Sequence, residues 1–296
     1  MIQDIGDHQL DNQYHVVTPH PEDYVLVCRG LDVCVRLTGQ KVEDNSGLAL
    51  GGALELPRLA DFGKTPGELQ LVYLLVVDDR PLFLARAEGV EPPCGFAWQS
   101  IRELRMAEPR WLAFAAVTGH HLAGWYRANR YCGRCGHPTE LVPTAREICC
   151  PACANVIYPR INPGVIVGVL DPAHERMIFT KYAAAHERYA NYALVAGFTE
   201  IGETLEQTVR REVAEEVGLT VDRVRYWADQ PWPFSASLLA GFWCEVQGSC
   251  DLTVDHSELK TALWLARDEV PMPRRDTSSL TNAMITAFAE GYDPYR

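Results

Sequence analysis

The sequence has few basic residues for its size. Lysine and arginine total 27 in 296 residues, against 39 aspartates and glutamates, so the formal net charge is −12. A protein that grips nucleic acid mainly through the phosphate backbone needs clustered positive charge. The composition therefore disfavours broad nucleic-acid binding, and leaves room only for the end of a nucleic acid in a local pocket.

Long apolar runs are also missing. The nearest candidate, LQLVYLLVV at 69–77, has the length of a strand and is followed by three charged residues, whereas a membrane-spanning helix needs about 20 mostly apolar residues. The first residues, MIQDIGDHQLDNQYH, have neither the basic patch nor the apolar stretch of a secretory signal. We therefore expect a cytoplasmic protein without a membrane partner.

The length and composition suit two compact units and a small third one. Up to about residue 105, short apolar runs such as YVLVCRG and LVYLLVV alternate with turn-rich stretches, which predicts a small mixed, mostly β unit. From about Ile101 to Ala128 large apolar residues recur at helical intervals, which predicts a helix. His120 and His121 in this helix point about 100° apart, so we expect packing or surface roles rather than a shared metal.

Five of the ten cysteines lie within residues 132–153. Cys132 and Cys135 form one CxxC pair, and Cys150 and Cys153 form another, with fourteen residues between the pairs. Two such pairs offer four thiolates for one tetrahedral zinc ion; a redox dithiol and coincidental burial are the alternatives. Because four sulfurs leave no open position, the predicted zinc is structural, one per subunit.

Two further side chains near this cluster are spare candidate ligands. They are Cys149 and His137, and an exchange of Cys149 for Cys150 would be the first change to the predicted ligand set.

The stretch GFTEIGETLEQTVRREVAEEVGL at 197–219 predicts a short acidic helix. Thr204 and Gln207 have the spacing of a capping box, and Gly218 suits the position after a helix end. The helix is therefore predicted from Leu205 to Val217. Apolar residues recur every four positions and should face the core: Leu205, Val209, Val213 and Val217.

Glu212, Glu215 and Glu216 lie at i, i+3 and i+4, so their carboxylates gather on one side of this helix. Like charges at this spacing destabilise a helix by roughly 0.2 to 0.5 kcal/mol, and the macrodipole also disfavours anions near the C-terminal end. A divalent cation reverses this balance, because carboxylate oxygens bind Mg²⁺ and Mn²⁺. The alternative is a solvated acidic face.

The spacing of Gly197, Glu203, Arg211, the three glutamates and Gly218 resembles the Nudix box without a mismatch. The resemblance implies an α/β fold, with a Nudix α/β/α sandwich over 159–296. It also implies that Glu212, Glu215 and Glu216 bind divalent metals, and that Arg211 and Glu203 brace the loop and helix. Strand-like runs in this region include PGVIVGVLD, RMIFTKY and NYALVAGF, and TNAMITAFAEGY predicts a closing helix.

Downstream, QPWPF at Gln230 to Phe234, with Ser237 behind it, resembles an element of the NADH pyrophosphatases. Members of that family also have a four-cysteine zinc ribbon directly before the Nudix domain and a separate N-terminal domain. The resemblance implies an N-terminal domain over 1–128, a ribbon over 129–158 and the Nudix domain over 159–296. Asp229, Ser235 and the stretch Ser279, Leu280, Thr281 depart from the family pattern, which affects substrate preference rather than reaction type.

The resemblance implies hydrolysis of the pyrophosphate bond of NAD⁺ or NADH to nicotinamide mononucleotide and AMP. Two or three Mg²⁺ or Mn²⁺ ions would be bound by the three helix glutamates together with Glu258. Removal of the NAD cap from RNA is a second implied activity. A preference for ADP-ribose or another nucleoside diphosphate derivative is the alternative. A zinc-ribbon adaptor with a decayed Nudix fold is a rival of another class, and the intact carboxylate set disfavours it.

The resemblance also implies a set of substrate-binding residues. Phe198 and Tyr158 match aromatic positions that sandwich the base, with Tyr158 acting across a homodimer interface; core packing is the alternative for both. The remaining implied contacts are Gln230, Trp232, Phe234, Ser237 and Thr281, for which the alternative at QPWPF is a rigid proline turn with core aromatics.

Overall fold

The computed structural model describes residues 1–43, 49–183, 192–272 and 276–296. The N-terminal part is a mixed α/β unit, as expected. Its elements, in chain order, are β1 (Leu10–Asp11), β2 (Tyr24–Leu26), β3 (Cys28–Arg29), β4 (Asp32–Thr38), β5 (Val42–Glu43), β6 (Ala49–Leu50), β7 (Gly52–Glu55), α1 (Pro66–Leu69), β8 (Leu71–Val77), β9 (Arg80–Ala85), β10 (Ala97–Ser100), β11 (Ala107–Glu108) and α2 (Arg110–Ala128).

The long helix α2 packs onto the two main sheets of this unit, which have the orders β1-β8-β9-β2 and β10-β4-β7-β11. Gly119 of this helix faces side chains of the first sheet at short range. A Cβ atom at this position would lie 2.9 Å from Leu26 Cδ2 and 3.0 Å from Leu74 Cδ1. The absence of a side chain at Gly119 therefore lets the helix approach the sheet closely.

The prediction of a single helix from about Ile101 to Ala128 is wrong for its first part. Residues Ile101–Met106 form a 3₁₀ helix, a short strand follows, and α2 begins only at Arg110. Pro109 is the N-cap of α2. Proline lacks the N–H that a helix interior needs, and it fits at a helix start instead.

The segment after α2 forms a small three-stranded sheet. Its strands are β12 (Glu140–Leu141), β13 (Ile148–Cys149) and β14 (Val156–Ile157), and β13 pairs with both neighbours in antiparallel orientation. Ile148 is 2% exposed and belongs to the N-terminal core. This sheet is therefore anchored to the N-terminal unit.

The C-terminal part contains one mixed six-stranded sheet with helices on its two faces. Its main strand order is β18-β19-β15-β16-β20, and β17 pairs with β15. The elements are β15 (Asn162–Leu170), β16 (Arg176–Tyr182), β17 (Val195–Phe198), α3 (Leu205–Val217), β18 (Val221–Trp232), β19 (Ser237–Val246), β20 (Leu259–Ala266) and α4 (Leu280–Ala289). Asn191, in the predicted strand run NYALVAGF, lies outside the described residues.

The central strand β15 shows how the two faces are built. Val165, Val167 and Val169 join the core that contains the apolar side of α3, whereas Ile166 and Leu170 join the core that contains α4. Alternate strand residues point to opposite faces, so one apolar strand supports both helix layers. This is the α/β/α arrangement that the sequence predicts.

Candidate active site

Helix α3 has the predicted bounds and the predicted ends. The Gln207 N–H donates to Thr204 Oγ1 at 3.3 Å, and the Thr204 N–H donates to Gln207 Oε1 at 2.7 Å. Gly218 ends the helix at φ 73°, in the left-handed region that favours glycine. The backbone of this helix is thus defined by local hydrogen bonds at both ends.

Glu216 is an acidic side chain in an almost solvent-free environment. Its residue is 3% exposed, one carboxylate oxygen accepts the Ala196 N–H at 3.3 Å, and the other oxygen is buried without a hydrogen-bond partner. The pKa of this carboxyl is raised to about 8, mainly by burial; the hydrogen bond from Ala196 opposes the rise, and the nearby charges of Glu212, Glu258 and Asp255 add to it. A buried carboxylate oxygen without a partner is unfavourable unless a cation or a proton compensates it.

Glu212 lies one helical turn earlier and is 8% exposed. Burial raises the pKa of its carboxyl, and the adjacent Arg211 guanidinium opposes that rise. Gly197 on β17 faces this carboxylate so closely that a Cβ atom there would lie 1.9 Å from Glu212 Oε1. The first glycine of the motif therefore leaves the space that the Glu212 carboxylate occupies.

Arg211 connects the helix to the preceding loop. Its Nε donates to Glu203 Oε1 at 2.6 Å, one terminal nitrogen donates to Glu203 Oε2 at 2.9 Å, and the same nitrogen donates to the Phe198 carbonyl at 2.9 Å. This contact with Arg211 lowers the pKa of Glu203 to about 2. The geometry agrees with the bracing role that the resemblance implies for both residues.

Glu215 and Glu258 are on the solvent side of the cluster. The Glu215 side chain is 59% exposed and accepts from Arg211 at 3.0 Å. Glu258 is exposed, and its charge contributes to the raised pKa of both Glu212 and Glu216. The fold thus brings Glu258, more than forty positions away in the sequence, close enough to influence the helix carboxylates electrostatically.

This donor set is suited to a hard divalent cation, because it combines carboxylate oxygens with one buried oxygen that has no protein partner. The glutamate oxygens are nevertheless spread apart. Arg211 holds one oxygen of Glu212 at 2.7 Å and one of Glu215 at 3.0 Å. Within the described ranges, the four cysteines of the zinc ribbon form the only group in which three or more potential metal ligands lie close together.

The four predicted zinc ligands converge as expected. The Sγ atoms of Cys132, Cys135, Cys150 and Cys153 all lie within 4.8 Å of one another.

The two CxxC turns share one backbone pattern. The Cys132 N–H donates to the His137 carbonyl at 2.8 Å, and the Cys150 N–H donates to the Asn155 carbonyl at 2.9 Å. The pKa of Cys132 is lowered to about 6, mainly because its sulfur accepts a hydrogen bond from the Arg134 backbone N–H. The lowered pKa favours the thiolate form, which is the form that binds zinc. The Cys149 thiol donates instead to the Cys150 carbonyl at 3.8 Å.

His120 and His121 do not share a site, in agreement with the sequence analysis. His120 Nε2 lies 3.0 Å from the Gly30 carbonyl, and His121 Nε2 lies 2.9 Å from the Arg160 carbonyl. The two rings point to different parts of the chain.

Gln230 is completely buried, and its amide is satisfied internally. Its Nε2 donates to Gln3 Oε1 at 2.9 Å and to the Ser278 carbonyl at 2.8 Å, and its Oε1 accepts the Leu280 N–H at 2.7 Å. The side chain thus connects strand β18 to the N-terminus of the chain and to the start of α4. This placement favours a positioning role over the direct substrate contact implied by the resemblance.

The two aromatic residues of the QPWPF stretch, Trp232 and Phe234, face the N-terminal unit. Trp232 and Phe234 pack against the N-terminal core with ring centroids 4.8 Å apart, and the Arg105 guanidinium lies 5.0 Å from the Trp232 ring. Arg105 also donates to Asp276 and, at 3.3 Å, to Ser278 Oγ. Sequence reasoning missed Arg105 and Asp276, because no local pattern marks a contact between residues 171 positions apart.

The remaining predicted substrate residues differ in exposure. Phe198 is 54% exposed and Tyr158 is 63% exposed, so both rings are available for stacking rather than packed in a core. Ser237 is 3% exposed, and its hydroxyl oxygen lies 2.9 Å from the hydroxyl oxygen of Ser235. Thr281 is half-buried in the first turn of α4.

Residues 160–284 match the family model described as the NUDIX domain, and residues 127–158 match the one described as the NADH pyrophosphatase zinc ribbon domain. The chain therefore carries a NUDIX domain directly behind an NADH pyrophosphatase zinc ribbon domain. Both features confirm the expectation from the sequence.

The chain is similar to two curated proteins that are each named NAD-capped RNA hydrolase NudC. The first, from Salmonella schwarzengrund, is 40% identical over 159 residues, which are 53% of this chain and 59% of that protein. The second, from Klebsiella pneumoniae, is 38% identical over 175 residues, which are 58% of this chain and 65% of that protein. The chain thus spans less than two thirds of the length of either relative.

Among solved structures, a NUDIX hydrolase from Nitrosomonas europaea has 25% sequence identity and a TM-score of 0.44. The matched region covers 55% of the present chain and 92% of the Nitrosomonas europaea protein.

Proposed function

We propose that this protein hydrolyses the pyrophosphate bond of NAD⁺ and NADH to nicotinamide mononucleotide and AMP, and that it also removes NAD caps from RNA. The proposal is supported by the Nudix domain, by the zinc ribbon and by similarity to proteins named NAD-capped RNA hydrolase. The net charge of −12 favours entry of the capped end over a broad grip on the RNA.

The main supporting observation is the buried, unpartnered oxygen of Glu216 beside the buried Glu212. Folding two carboxylates into this position is unfavourable unless a cation or a proton compensates their charge. We assign Glu212, Glu215, Glu216 and Glu258 as the ligands of two or three Mg²⁺ or Mn²⁺ ions. When bound, such ions would withdraw charge from the pyrophosphate and lower the pKa of a bound water.

The neighbouring residues would hold these carboxylates in position. Arg211 pairs with Glu203 in the loop and donates to the Phe198 carbonyl, so it would keep the end of strand β17, which carries Phe198, in a constant relation to the glutamates. Arg211 also holds Glu212 and Glu215, and cation binding would exchange those contacts for the metal.

Recognition of the nicotinamide half would use flat surfaces. Phe198 and Tyr158 are exposed aromatic rings, and stacking supplies both area and orientation. We place Tyr158 across the interface of a homodimer, where it would complete the site of the partner subunit. Ser237 and Thr281 would shape the pocket wall. Trp232 and Phe234, which pack against the N-terminal core, would position that wall together with Gln230.

The division into an N-terminal domain (1–128), a zinc ribbon (129–158) and a Nudix domain (159–296) is part of the proposal, as is a cytoplasmic location. No helix within the described ranges is long and apolar enough to cross a membrane.

A substrate panel tests this function. Turnover of NADH, NAD⁺, ADP-ribose and NAD-capped RNA would be compared with Mg²⁺ and with Mn²⁺. We expect NAD⁺, NADH or NAD-capped RNA to have the highest kcat/KM. A preference for ADP-ribose of about tenfold or more, roughly 1.4 kcal/mol in transition-state binding, would overturn the NAD assignment. A well-folded protein with no turnover of any of the four would support the adaptor alternative.

A further inference from the structure

A cleft in the N-terminal domain collects positive charge in an otherwise acidic protein. The cavity has a volume of about 680 Å³, which lies within the range of small-molecule sites. Glu88 and Glu91 are the acidic residues in its wall. Four arginines line it: Arg29, Arg86, Arg127 and Arg130.

These arginines come from separate segments of the chain. Arg29 ends strand β3, Arg86 directly follows β9, Arg127 lies in the last turn of α2, and Arg130 follows that helix. The macrodipole favours cations at a helix C-terminus, which explains Arg127 and Arg130. It does not explain Arg29 and Arg86, which the fold brings to the same cleft from other elements.

The positive charge of the cleft is only partly neutralised. Arg130 pairs with Glu88 at 2.8 Å, and Arg29 lies 3.9 Å from Asp32. The guanidinium groups of Arg86 and Arg127 form no ion pair or hydrogen bond with any residue in the described part of the chain. Arg86 is half-buried, and a partly desolvated charge without a counter-charge is unfavourable. An anionic ligand would remove that cost.

The cleft also presents a flat aromatic surface beside these charges, the half-buried Trp98 ring. The Arg29 guanidinium lies 4.4 Å from the Trp98 ring centroid, and the Arg86 guanidinium lies 5.8 Å from that of Tyr126. Aromatic rings and arginine guanidinium groups are surfaces on which nucleobases stack, and arginine is well suited to phosphate. Both halves of a nucleotide therefore find complementary groups here.

We propose that this cleft is a second, non-catalytic binding site for a nucleotide unit. Arg86 and Arg127 would bind the phosphate, and the Arg29–Trp98 pair would stack against the base. The ligand could be supplied as a free nucleotide or as a nucleotide within an RNA strand, which have this chemistry in common. The proposal does not depend on the catalytic assignment, because it concerns different residues and binding alone.

The test is calorimetric titration of the full-length protein without added Mg²⁺ or Mn²⁺, using AMP and a short uncapped ribo-oligonucleotide as separate probes. The cleft variant is the Arg86→Gln, Arg127→Gln double substitution. The matched control is Arg58→Gln, an N-terminal-domain arginine that also lies over an aromatic ring, at 6.0 Å from Tyr24, but outside the cleft. Phe198→Ala serves to identify any binding at the proposed catalytic pocket.

We expect the double variant to weaken binding of at least one probe by about tenfold or more, since each charged hydrogen bond to phosphate is worth about that factor. Arg58→Gln and Phe198→Ala should leave that binding event unchanged. AMP binding would identify a free nucleotide as ligand, and binding of the oligonucleotide alone would identify the RNA strand.

Unchanged affinity of both probes in the double variant, or no binding of either probe to the wild-type protein, would overturn the proposal. If the double variant does not fold, the exposed Arg127→Gln alone is measured, with the same expected direction. Turnover of NADH by the same variants keeps the two proposals distinguishable, because the cleft variant should retain the wild-type rate.

Discussion

The side chain that Gly197 lacks would occupy the space of the Glu212 carboxylate. A Cβ atom at Gly197 would lie 1.9 Å from Glu212 Oε1 and 2.2 Å from Oε2, far inside van der Waals contact. Strand β17 therefore leaves room for the carboxylate of a proposed metal ligand on helix α3 at the position where a glycine has no side chain.

Gly197→Ala is expected to displace the Glu212 carboxylate and to lower kcat for NADH by about 100-fold or more, because small displacements of catalytic groups have effects of that size. Gly124→Ala is the matched control, since a Cβ atom there meets no atom within 4 Å. Steady-state kinetics together with thermal melting would check both. Wild-type turnover by Gly197→Ala would show that Glu212 does not need its observed position.

Glu216→Gln is expected to abolish turnover while leaving the fold and the zinc content intact. The substitution removes a proposed metal ligand but conserves the volume of the side chain. Activity assays, circular dichroism and zinc analysis on one sample would check this. If the rate were unaltered, the catalytic assignment of the helix glutamates would be wrong.

The stability of the protein without Mg²⁺ or Mn²⁺ should depend on pH through Glu216. Because burial raises the pKa of this carboxyl from 4.5 to about 8, the folded state binds its proton more tightly than the unfolded state does. Stability from this group is present below about pH 4.5 and is lost as the pH rises toward 8, by at most about 1.4 kcal/mol per pH unit.

Urea unfolding at pH 5 and pH 8 would measure this dependence. Glu216→Gln should reduce the difference between the two pH values, and Mn²⁺ should stabilise the wild-type protein at pH 8 more than the variant. An equal pH dependence in both proteins would contradict the raised pKa.

Cys132→Ser is expected to lower both zinc content and thermal stability. A structural zinc site contributes directly to folding. Cys149→Ser is a close control, because its thiol lies next to the cluster in sequence but outside the converging group, so it should retain zinc. Loss of activity by Cys132→Ser in a stable, zinc-replete protein would contradict a purely structural role.

Gln230→Leu is expected to destabilise the protein by about 2 to 4 kcal/mol, because it removes three hydrogen bonds and leaves the buried Leu280 N–H without its acceptor. The exposed Gln247→Leu, which loses a single contact of 3.4 Å, should change stability by less than about 0.5 kcal/mol. Chemical denaturation would compare the two. Similar unfolding midpoints would mean that the Gln230 network contributes little to the fold.

Several features of the fold and of the candidate site could be predicted from the sequence because they depend on neighbouring residues. The capping box at Thr204 and Gln207, the bounds of α3 and its apolar spacing follow from hydrogen bonds and periodicity within one turn or two. The two CxxC pairs likewise place their ligands on short turns. These predictions agree with the structure.

The local apolar pattern also gave one wrong prediction, at a helix that begins only after a proline. The apolar spacing from Ile101 onward resembles a single helix, but the chain forms a 3₁₀ helix and a short strand before α2 begins after Pro109. Periodicity averages over a window, whereas a proline acts at one position.

The sequence alone thus determined the class of chemistry, since the identity and spacing of the carboxylates and thiolates are written along single short segments. The tertiary structure alone decided which carboxylate is buried, that Gly197 faces the Glu212 carboxylate, that Gln230 points inward, and that arginines from separate elements share one cleft. The physical reason is that burial and close contact arise between segments far apart in the chain, and depend on how whole strands and helices pack against each other.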